Sequence, residues 1–474
     1  MSIKKNFLYS LVLTTSNYIF PLLVYPYISR VLGVTGIGLC NFVDSIINYF
    51  VLFSTIGISI IGIREIASCK NRHDDLNVVF TSLIAHTIIP TIIVSVIFCF
   101  SVIFIEKLYE YKELFFIGLG KIIGTAFLLD WFYKGIEDFK YITKRTIIIK
   151  TLYVASVFLF IKGTNDYVLY FALTTLMVLV NSLINVLYCK KFIDLKFDVS
   201  VFKKMLKPNL INGFYLFLNT MYSTLNVAFL GFVSSIAEVG YYTTATKIFS
   251  IILAIYTAFT GVMLPRMSYL FSEHKIKEFK ELIIKSLNIL IMFSIPIVIF
   301  SMILAPQIIN IISGDGFEGA YIPAIISMPL IFVVGYEQIL VIQIITPLKE
   351  DVIKLKNSIV GALVGIIGNI ILVSYFHAIG AALVWALSET AVLISAQYYV
   401  TKLTGLRFPI FQLVKEIFIY SPLILVFIFI QMISNSDVFT LGISCIILIL
   451  YFLLIKLCLL KDSFLLGIIN NFCK

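Results

Sequence analysis

Residues 7–62 read FLYSLVLTTSNYIFPLLVYPYISRVLGVTGIGLCNFVDSIINYFVLFSTIGISIIG, and this stretch decides the fold class. It consists of two apolar runs, 7–29 and 38–62, and its only charged residues are Arg30 and Asp44. A helix needs roughly 20 apolar residues to cross the hydrocarbon core of a bilayer. The stretch therefore predicts two membrane-spanning helices in direct succession, joined by a short connection that begins at Arg30.

The composition extends this pattern to the whole chain. Of its 474 residues, 60% are hydrophobic and 13% are charged, whereas a soluble domain has roughly 25% charged residues. These values exclude a soluble enzyme, a disordered chain and a soluble domain held by a single anchor. They also exclude an outer-membrane barrel, because the strands of such barrels alternate polar and apolar residues.

The same reasoning along the chain predicts an all-α polytopic membrane protein with about 14 transmembrane helices, here called spans 1–14. No connection is long enough to hold a soluble domain, and the longest, 190–208, has room for a short surface helix at most. The spans are predicted at 7–29, 38–62, 79–105, 114–133, 146–161, 167–189, 209–233, 241–264, 286–312, 320–346, 357–376, 379–400, 412–433 and 439–460.

The basic residues predict the orientation of these spans. Of the 36 lysines and arginines, 29 fall in the even-numbered connections and the two termini, with Lys415 and Lys456 at the inner ends of spans 13 and 14 counted among them. Four fall in the odd-numbered connections, and three (Lys121, Lys150 and Lys247) lie within spans. Cytoplasmic loops carry the excess of Lys and Arg in membrane proteins. Both termini are therefore predicted to be cytoplasmic, and the net charge of +10 needs no nucleic-acid partner to explain it.

The first half of the chain resembles the second half at an offset of 202 residues. Matching pairs at this offset are Lys5 and Lys207, Leu8 and Leu210, Asn17 and Asn219, Val31 and Val233, Gly38 and Gly240, and Arg64 and Arg266. Toward the ends of the copies the offset grows to 214, where Phe171-Ala-Leu-Thr-Thr meets Trp385-Ala-Leu-Ser-Glu. Because six spans separate the copies, both have the same orientation, which makes this a parallel repeat about an axis normal to the membrane.

The repeat predicts three segments. These are a six-helix lobe in 1–200, a pseudo-symmetric six-helix lobe in 201–405, and two extra C-terminal helices in 406–474. In transporters built from such repeats, the substrate binds between the halves. Two similar bundles that rock about a shared cavity suit a transporter better than a channel or a membrane-embedded enzyme.

Charged residues inside the spans are the first candidates for function, since each costs at least ~2.5–3.5 kcal/mol at the centre of a membrane helix. Asp44 lies about seven residues into span 2 from the outer side, and Lys247 lies about as deep in span 8. The repeat superposes Ser45 on Lys247. We therefore hypothesise that Asp44 and Lys247 face each other across the outer half of a cavity and pair when it closes. The alternative is that each charge pairs within its own bundle.

Other charges lie within or at the edge of spans. Glu337 and Glu389 are near the middle of spans 10 and 12, where a carboxyl group either carries a proton for coupled transport or serves as a neutral packing group. Lys121 lies about eight residues into span 4. Asp130 precedes Lys134 by four residues, and this spacing predicts an i,i+4 ion pair.

No arrangement typical of an enzyme or a metal site is present in the sequence. Gly314-Asp-Gly-Phe-Glu-Gly319 matches GxGxxG, but it follows no strand and lies in a predicted outer loop, so a nucleotide site is not expected. No Walker A lysine and no Ser/His/Asp arrangement in an aqueous loop is found. We therefore expect no catalytic residues, no metal and no cofactor.

Two stretches resemble a known family. Residues 17–38 (NYIFPLLVYPYISRVLGVTGIG) and 57–67 (GISIIGIREIA) are similar to the Wzx-type polysaccharide repeat-unit flippases. These belong to the multidrug/oligosaccharidyl-lipid/polysaccharide exporter superfamily. Gly240-Tyr-Tyr, Pro265-Arg266 and Gly314-Asp-Gly-Phe also resemble its second-half landmarks. The resemblance covers the whole chain and implies a V-shaped pair of six-helix lobes around a basic central cavity.

The resemblance also implies a function. The protein would lie in the bacterial cytoplasmic (inner) membrane and move undecaprenyl-diphosphate-linked oligosaccharide units from the inner to the outer leaflet by alternating access. It would serve O-antigen (lipopolysaccharide) or capsule synthesis, couple to H⁺ or Na⁺, and work beside a polysaccharide polymerase and chain-length machinery.

The resemblance assigns candidate site residues as well. Arg30, Arg64 and Arg266 match the family's motif positions, and guanidinium groups suit bidentate phosphate binding. Each arginine also has an alternative role that involves no substrate. Arg30 could anchor span 1 at the membrane interface, and Arg64 and Arg266 could be ordinary basic residues of the cytoplasmic side. The candidates for the cavity and the diphosphate are Arg30, Lys121, Lys247, Arg64 and Arg266; those for coupling or gating are Asp44, Glu337 and Glu389.

Two alternative functions stay open. A cation-coupled multidrug exporter of the same superfamily would have an acidic cavity, to which Asp44, Glu337 and Glu389 could contribute. A membrane glycan polymerase would need a large outer loop with catalytic residues, and the predicted outer loops are short.

Overall fold

The computed structural model describes residues 3–459, and these form helices and connecting turns without a β-strand. The all-α prediction is confirmed. The helices are α1 (Ile3–Ser54), α2 (Ile58–Cys69), α3 (His73–Phe104), α4 (Glu106–Tyr109), α5 (Lys112–Ala126), α6 (Asp130–Gly135), α7 (Phe139–Phe160), α8 (Tyr167–Cys189), α9 (Val199–Val233), α10 (Ile236–Ser272), α11 (Ile276–Ile303), α12 (Ala305–Ser313), α13 (Tyr321–Ser327), α14 (Leu330–Gln338), α15 (Asp351–Gly368), α16 (Ser374–Thr404), α17 (Ile410–Tyr420), α18 (Pro422–Ile433) and α19 (Asp437–Leu453). Single 3-10 turns occur at Thr164–Asp166 and Glu318–Ala320, and π-helical segments at Ile339–Ile345, Asn369–Val373 and Leu454–Leu459.

Many of these helices are long and apolar enough to cross a membrane. Across residues 3–459 there are nine such helices, or ten if the pair Glu318–Ser327 and Leu330–Ile345, bent by 41°, forms one span. Two of the nine, Leu8–Cys69 with 62 residues and Asp351–Thr404 with 54, exceed the length of one crossing. The count of 14 spans stays a prediction, as does the cytoplasmic placement of both termini. Residues 460–474, which include the C-terminus and the end of the predicted 406–474 segment, lie outside the described residues.

Both long helices are interrupted where the sequence predicts a connection between two spans. Gly33 has φ 68° and ψ 179° inside α1, and His377 has φ 50° and ψ −124° inside α16. The positive φ at position 33 favours glycine, because a Cβ atom is poorly tolerated there. Gly33 falls in the predicted gap between 29 and 38, and His377 falls between 376 and 379. The structure therefore places these two boundaries within the predicted connections.

The chain forms two compact units. Unit 1 comprises Met1–Thr243 and Ser358–Ser388, and unit 2 comprises Thr244–Asn357 and Glu389–Lys474. These units are defined by packing, whereas the predicted segments 1–200, 201–405 and 406–474 follow the internal repeat. The repeat-based division stays a prediction.

In unit 1, aromatic side chains fill the space between α2, α3 and α6. The ring of Phe80 stacks on Trp131 at 5.6 Å and meets Phe132 edge-on at 5.0 Å. Leu129, at φ 52°, separates α5 from α6 and redirects the chain. Burial of these large rings fixes α6 and the end of α5, and α5 carries the central residue of the site described below.

In unit 2, α11 is the helix against which the others pack. Its apolar side chains Ile283 and Ile291 are fully buried. The ring of Phe300 meets Phe427 of α18 edge-on at 5.7 Å. These contacts attach the predicted extra C-terminal helices to α11 by apolar burial, the main source of stability for helices with so few polar contacts.

Candidate functional site

An ion pair links α1 and α5 within an apolar part of unit 1. Lys121 Nζ donates a hydrogen bond to Asp44 Oδ1 at 2.6 Å. The Lys121 side chain is 12% exposed and that of Asp44 is 40% exposed. The ammonium group is therefore largely enclosed, whereas the carboxylate lies at an opening of the unit. An enclosed charge of this kind requires a partner, because desolvation costs several kcal/mol per ion.

The packing of α5 on α8 sets the position of Lys121. Ser182 Oγ of α8 donates to the backbone oxygen of Gly124 at 2.5 Å, which draws the two helices together. One helical turn earlier, Lys121 Nζ lies 4.1 Å from the centre of the Phe171 ring. An aromatic face attracts a cation through its quadrupole. Lys121 is thus held by Asp44 from α1 and by Phe171 from α8.

Polar and aromatic groups surround the pair. Cys40, one turn before Asp44, is buried, and its thiol donates to the backbone oxygen of Tyr167 at 3.6 Å. The hydroxyl groups of Tyr153 and Tyr170 lie near each other and within the range of electrostatic interaction with Asp44. The site, called here the Asp44–Lys121 site, therefore offers a cation, an anion, phenol hydroxyl groups and aromatic faces. Such a set suits an anionic group attached to a molecule rich in hydroxyl groups.

At Asp44 the structure supports the alternative left open by the sequence. Asp44 pairs with Lys121 inside its own unit, and a pairing of Asp44 with Lys247 stays a hypothesis. Lys247 lies on α10, and its side chain is exposed. Sequence reasoning missed the Asp44–Lys121 pair because 77 residues separate its members and because the repeat compares only spans 2 and 8.

The three arginines of the resemblance lie on exposed surfaces. Arg64 pairs with Glu65 at 2.8 Å and is 63% exposed. Arg266 pairs with Glu278 at 3.6 Å and is 56% exposed. Exposed ion pairs of this kind contribute about 0–1 kcal/mol to stability. Each arginine can therefore leave its carboxylate for another anion at little cost in free energy. Arg30, also exposed, donates from Nη1 to a backbone oxygen in the preceding turn at 3.4 Å.

Both predicted intramembrane glutamates lie in unit 2, Glu337 on α14 and Glu389 on α16. Glu337 lies close enough to Glu389 for their charges to interact, and Glu389 is only 6% exposed. The adjacent Gln338 accepts a hydrogen bond from Thr260 at 3.2 Å, and the π-helical segment Ile339–Ile345 follows at once. π-helical turns often occur at functional sites, so this arrangement keeps the two glutamates as coupling candidates.

The predicted pair of Asp130 and Lys134 is wrong. Arg145 Nη2 of α7 donates to Asp130 Oδ1 at 3.0 Å, and the Arg145 side chain is 6% exposed. A second nitrogen of Arg145 donates to Asn185 Oδ1. The spacing rule fails because α6 has only six residues and the chain turns back directly after it, which brings α7 to Asp130.

A second enclosed ion pair, in unit 2, was not predicted. Lys456 Nζ donates to Glu416 Oε1 at 2.6 Å, and the two side chains are 3% and 7% exposed. Lys456 lies near the inner end of predicted span 14, next to the C-terminal segment. In the structure Lys456 belongs to the π-helical segment Leu454–Leu459, which extends α19. The available signal was one Glu and one Lys at the inner ends of spans 13 and 14.

The Asp44–Lys121 site consists of side chains alone. Within residues 3–459, no group of three or more His, Cys, Asp or Glu side chains is placed to hold a metal ion.

Comparison with known sequences gives a family. The model of the family described as "Polysaccharide biosynthesis protein" matches residues 3–271, which is more than half of the chain. The protein named "Putative O-antigen transporter" of Escherichia coli (strain K12) is 23% identical over 398 residues, covering 83% of this chain and 95% of that protein.

Comparison with solved structures gives the fold. The structure described as "Lipid II flippase MurJ, inward closed conformation" superposes with a TM-score of 0.80 at 16% identity, covering 96% of this chain and 99% of that one. A multidrug resistance MATE family transporter of the MOP superfamily, in its inward-facing conformation, gives a TM-score of 0.62 at 12% identity, covering 81% and 94%. The fold is therefore MurJ-like, and the resemblance read from the sequence is confirmed.

Proposed function

This chain belongs to the polysaccharide biosynthesis protein family, and we propose that it is a flippase for lipid-linked oligosaccharides. The cargo is an undecaprenyl-diphosphate-linked repeat unit, which moves from the inner to the outer leaflet of the bacterial cytoplasmic membrane. The product serves a surface glycan such as O-antigen or capsule. The observation that carries the proposal is the family match together with a relative named as an O-antigen transporter, 95% of whose length this chain covers.

The physics of the cargo explains why a protein is required. A sugar headgroup that entered hydrocarbon unaided would leave each hydroxyl group without a hydrogen-bond partner, at a cost of about 2–7 kcal/mol per group. A polar path that opens alternately to the two sides removes this barrier while the lipid tail stays in the bilayer. The MurJ-like fold, shared with a lipid II flippase, supports this mode of action.

We assign the diphosphate to Lys121. Its ammonium group is oriented by Asp44 and Phe171, so it is preorganised for an anion. Because Asp44 is 40% exposed, it can be hydrated when a diphosphate replaces it as the partner of Lys121. Tyr153 and Tyr170 then supply hydroxyl groups and rings for the first sugar. In this proposal Arg30, Arg64, Arg266 and Lys247 guide the anion toward the Asp44–Lys121 site or away from it.

Coupling is assigned to the glutamates of unit 2. Neighbouring carboxyl groups inside membrane helices are typical of proton relays in transporters, and Glu337 and Glu389 have this arrangement. We propose H⁺ as the coupling ion, with Na⁺ as the alternative. A polysaccharide polymerase and its chain-length machinery would take up the delivered units.

A multidrug exporter is the second candidate function. It is favoured by the likeness to a MATE family transporter and by the acidic residues Asp44, Glu337 and Glu389. The pairing of Asp44 with Lys121 counts against it, because the carboxylate nearest the opening is already neutralised by a cation.

Deletion of the gene in its host tests the proposal. Lipid-linked oligosaccharide of one complete repeat unit is quantified in the membrane, and surface glycan is measured in parallel. The flippase function predicts that complete units accumulate, that surface polymer disappears, and that the wild-type gene restores both. Unchanged surface glycan with new sensitivity to cationic dyes would establish the exporter instead. Units that reach the outer face but are not joined would indicate a polymerase.

A further inference from the structure

The second half of α1 and the start of α10 cross with their backbones in contact, inside unit 1. A Cβ atom on Gly38 would overlap the backbone oxygen of Ile236 and lie 2.8 Å from the nitrogen of Gly240. A Cβ atom on Gly240 would in turn overlap the backbone oxygen of Val34. The crossing, called here the Gly38–Gly240 crossing, therefore requires glycine on both helices.

The residues in contact are equivalents under the internal repeat. Gly38 corresponds to Gly240, and Val34 corresponds to Ile236, at the same offset of 202. Gly38 contacts Ile236 and Gly240 contacts Val34, and Ile236 is itself the equivalent of Val34. Reciprocal contacts of this kind occur where a two-fold axis passes through an interface, so the pseudo-symmetry axis of the repeat passes through this crossing.

A side-chain hydrogen bond closes the same crossing. Asn41 Nδ2 donates to Thr243 Oγ1 at 3.1 Å, and these two residues are again 202 positions apart. Asn41 Nδ2 also donates to the backbone oxygen of Ile37 in the preceding turn of α1, and this bond orients the amide group toward Thr243. Cys40, between Gly38 and Asn41 in sequence, is 6% exposed, which shows how closely this region is packed.

The other end of the same transmembrane stretch contacts a different helix. A Cβ atom on Gly213 of α9 would overlap the Ile56 side chain, and one on Gly57 would overlap the backbone oxygen of Asn209. Residues 38 and 57 lie at the opposite ends of predicted span 2. Span 2 thus makes one glycine-dependent contact at its predicted outer end, with α10, and another at its predicted inner end, with α9.

We propose that the Gly38–Gly240 crossing is the outer gate of the transport path. The crossing lies on the axis between the repeats, one to two turns outside the Asp44–Lys121 site, and it closes by backbone contact that no larger residue permits. Cargo leaves when α1 and α10 separate there and Asn41 releases Thr243. This inference rests on the proposed function and on the predicted outward orientation of this end.

Cross-linking tests whether the crossing has to open. Asn41→Cys and Thr243→Cys are combined in a background whose native cysteines are replaced, and an oxidant or a short bismaleimide joins them in cells. The gate predicts that cross-linking lowers surface glycan at least tenfold, and that reduction of the disulfide restores it. The matched control is Asn357→Cys with Ser395→Cys, a hydrogen-bonded pair at 2.7 Å within unit 2, whose cross-linking should leave glycan unchanged.

Two outcomes would overturn the gate. One is a cross-linked protein that still delivers wild-type amounts of surface glycan. The other is a folded, monodisperse double variant in which neither reagent joins the two cysteines, since the contact would then be absent.

A second measurement needs no cargo and so remains informative if the flippase function fails. In a variant with Cys40 as its only cysteine, a membrane-impermeant thiol reagent is added from outside. Gly240→Val should hold the crossing open and speed labelling of Cys40 at least fivefold. Gly261→Val, on the same helix with no atom within 4 Å of its added Cβ, should not. Equal labelling rates in the two variants would contradict the gate, whatever the gene deletion shows.

Discussion

The Asp44–Lys121 pair yields an asymmetric prediction, because its two members differ in exposure. Asp44→Asn leaves an ammonium group that is 12% exposed without its anion. Removal of one partner from a fully buried pair costs about 3–5 kcal/mol. The retained contact with Phe171 and the opening at Asp44 reduce the expected loss of stability to about 2 kcal/mol.

The opposite substitution should be milder. Lys121→Met leaves Asp44, which is 40% exposed and can be hydrated, so the expected loss of stability is about 1 kcal/mol or less. The double variant Asp44→Asn/Lys121→Met has no unpaired charge and should lie within about 1 kcal/mol of wild type. Thermal midpoints of the detergent-solubilised proteins, read from the monodisperse fraction after heating, should therefore rank Asp44→Asn lowest.

Measurement of transport in the same variants distinguishes a loss of substrate binding from a loss of folded protein. A charge-assisted hydrogen bond to a phosphate contributes about 1.5–3 kcal/mol, and each 1.4 kcal/mol corresponds to about a tenfold change in binding. Lys121→Met and the double variant should therefore lower surface glycan at least about tenfold in the deletion strain. Asp44→Asn keeps the cation and should lose glycan only in proportion to its lost folded protein.

Full surface glycan from the double variant, present at wild-type amount, would refute the binding role of Lys121. Lys121 would then be a structural residue and not a ligand of the diphosphate. A Lys121→Met variant less stable than Asp44→Asn would show that the exposure of the two side chains does not determine the loss of stability.

The other charged residues give three further predictions. Glu416→Gln should cost about 3–5 kcal/mol because it leaves Lys456 enclosed without an anion, and the double variant Glu416→Leu/Lys456→Met should recover at least half of that loss; equal thermal midpoints for the two would contradict this. Arg64→Ala and Arg266→Ala should each change stability by less than about 1 kcal/mol, since their ion pairs are exposed; normal surface glycan in the combined variant would remove both arginines from the substrate path. Glu337→Gln should abolish the dependence of cargo movement on an imposed pH gradient in everted vesicles, and retained dependence would exclude Glu337 as the proton carrier.

The positions of the helices could be predicted from the sequence wherever the length of an apolar run alone determines them. Apolar runs of sufficient length define the helices, and the predicted gaps contain both residues, Gly33 and His377, at which long helices break. These predictions succeed because the bilayer requires every backbone polar group to be bonded within the segment, which leaves helices as the solution for apolar runs of this length.

The partners of the charged residues could not be predicted in the same way. Asp44 and Lys121 are 77 residues apart, and Glu416 and Lys456 are 40 apart. Such pairs depend on which helix faces pack together, and no local spacing encodes that. The error at Asp130 has the same origin, since a turn after α6 brings Arg145 closer than a residue one helical turn away.

The Gly38–Gly240 crossing also bears on the ancestry of the chain. In a symmetric homodimer, residues at the two-fold axis meet their own copies in the partner. Gly38 and Gly240 have this relation within one polypeptide, which is what the fusion of two duplicated genes would leave. Fusion frees the copies to diverge: under the repeat, Asp44 is matched by Thr246 and Lys247 by Ser45. A homodimer would have to carry every intramembrane charge twice, whereas the fused chain places the Asp44–Lys121 site in one copy only.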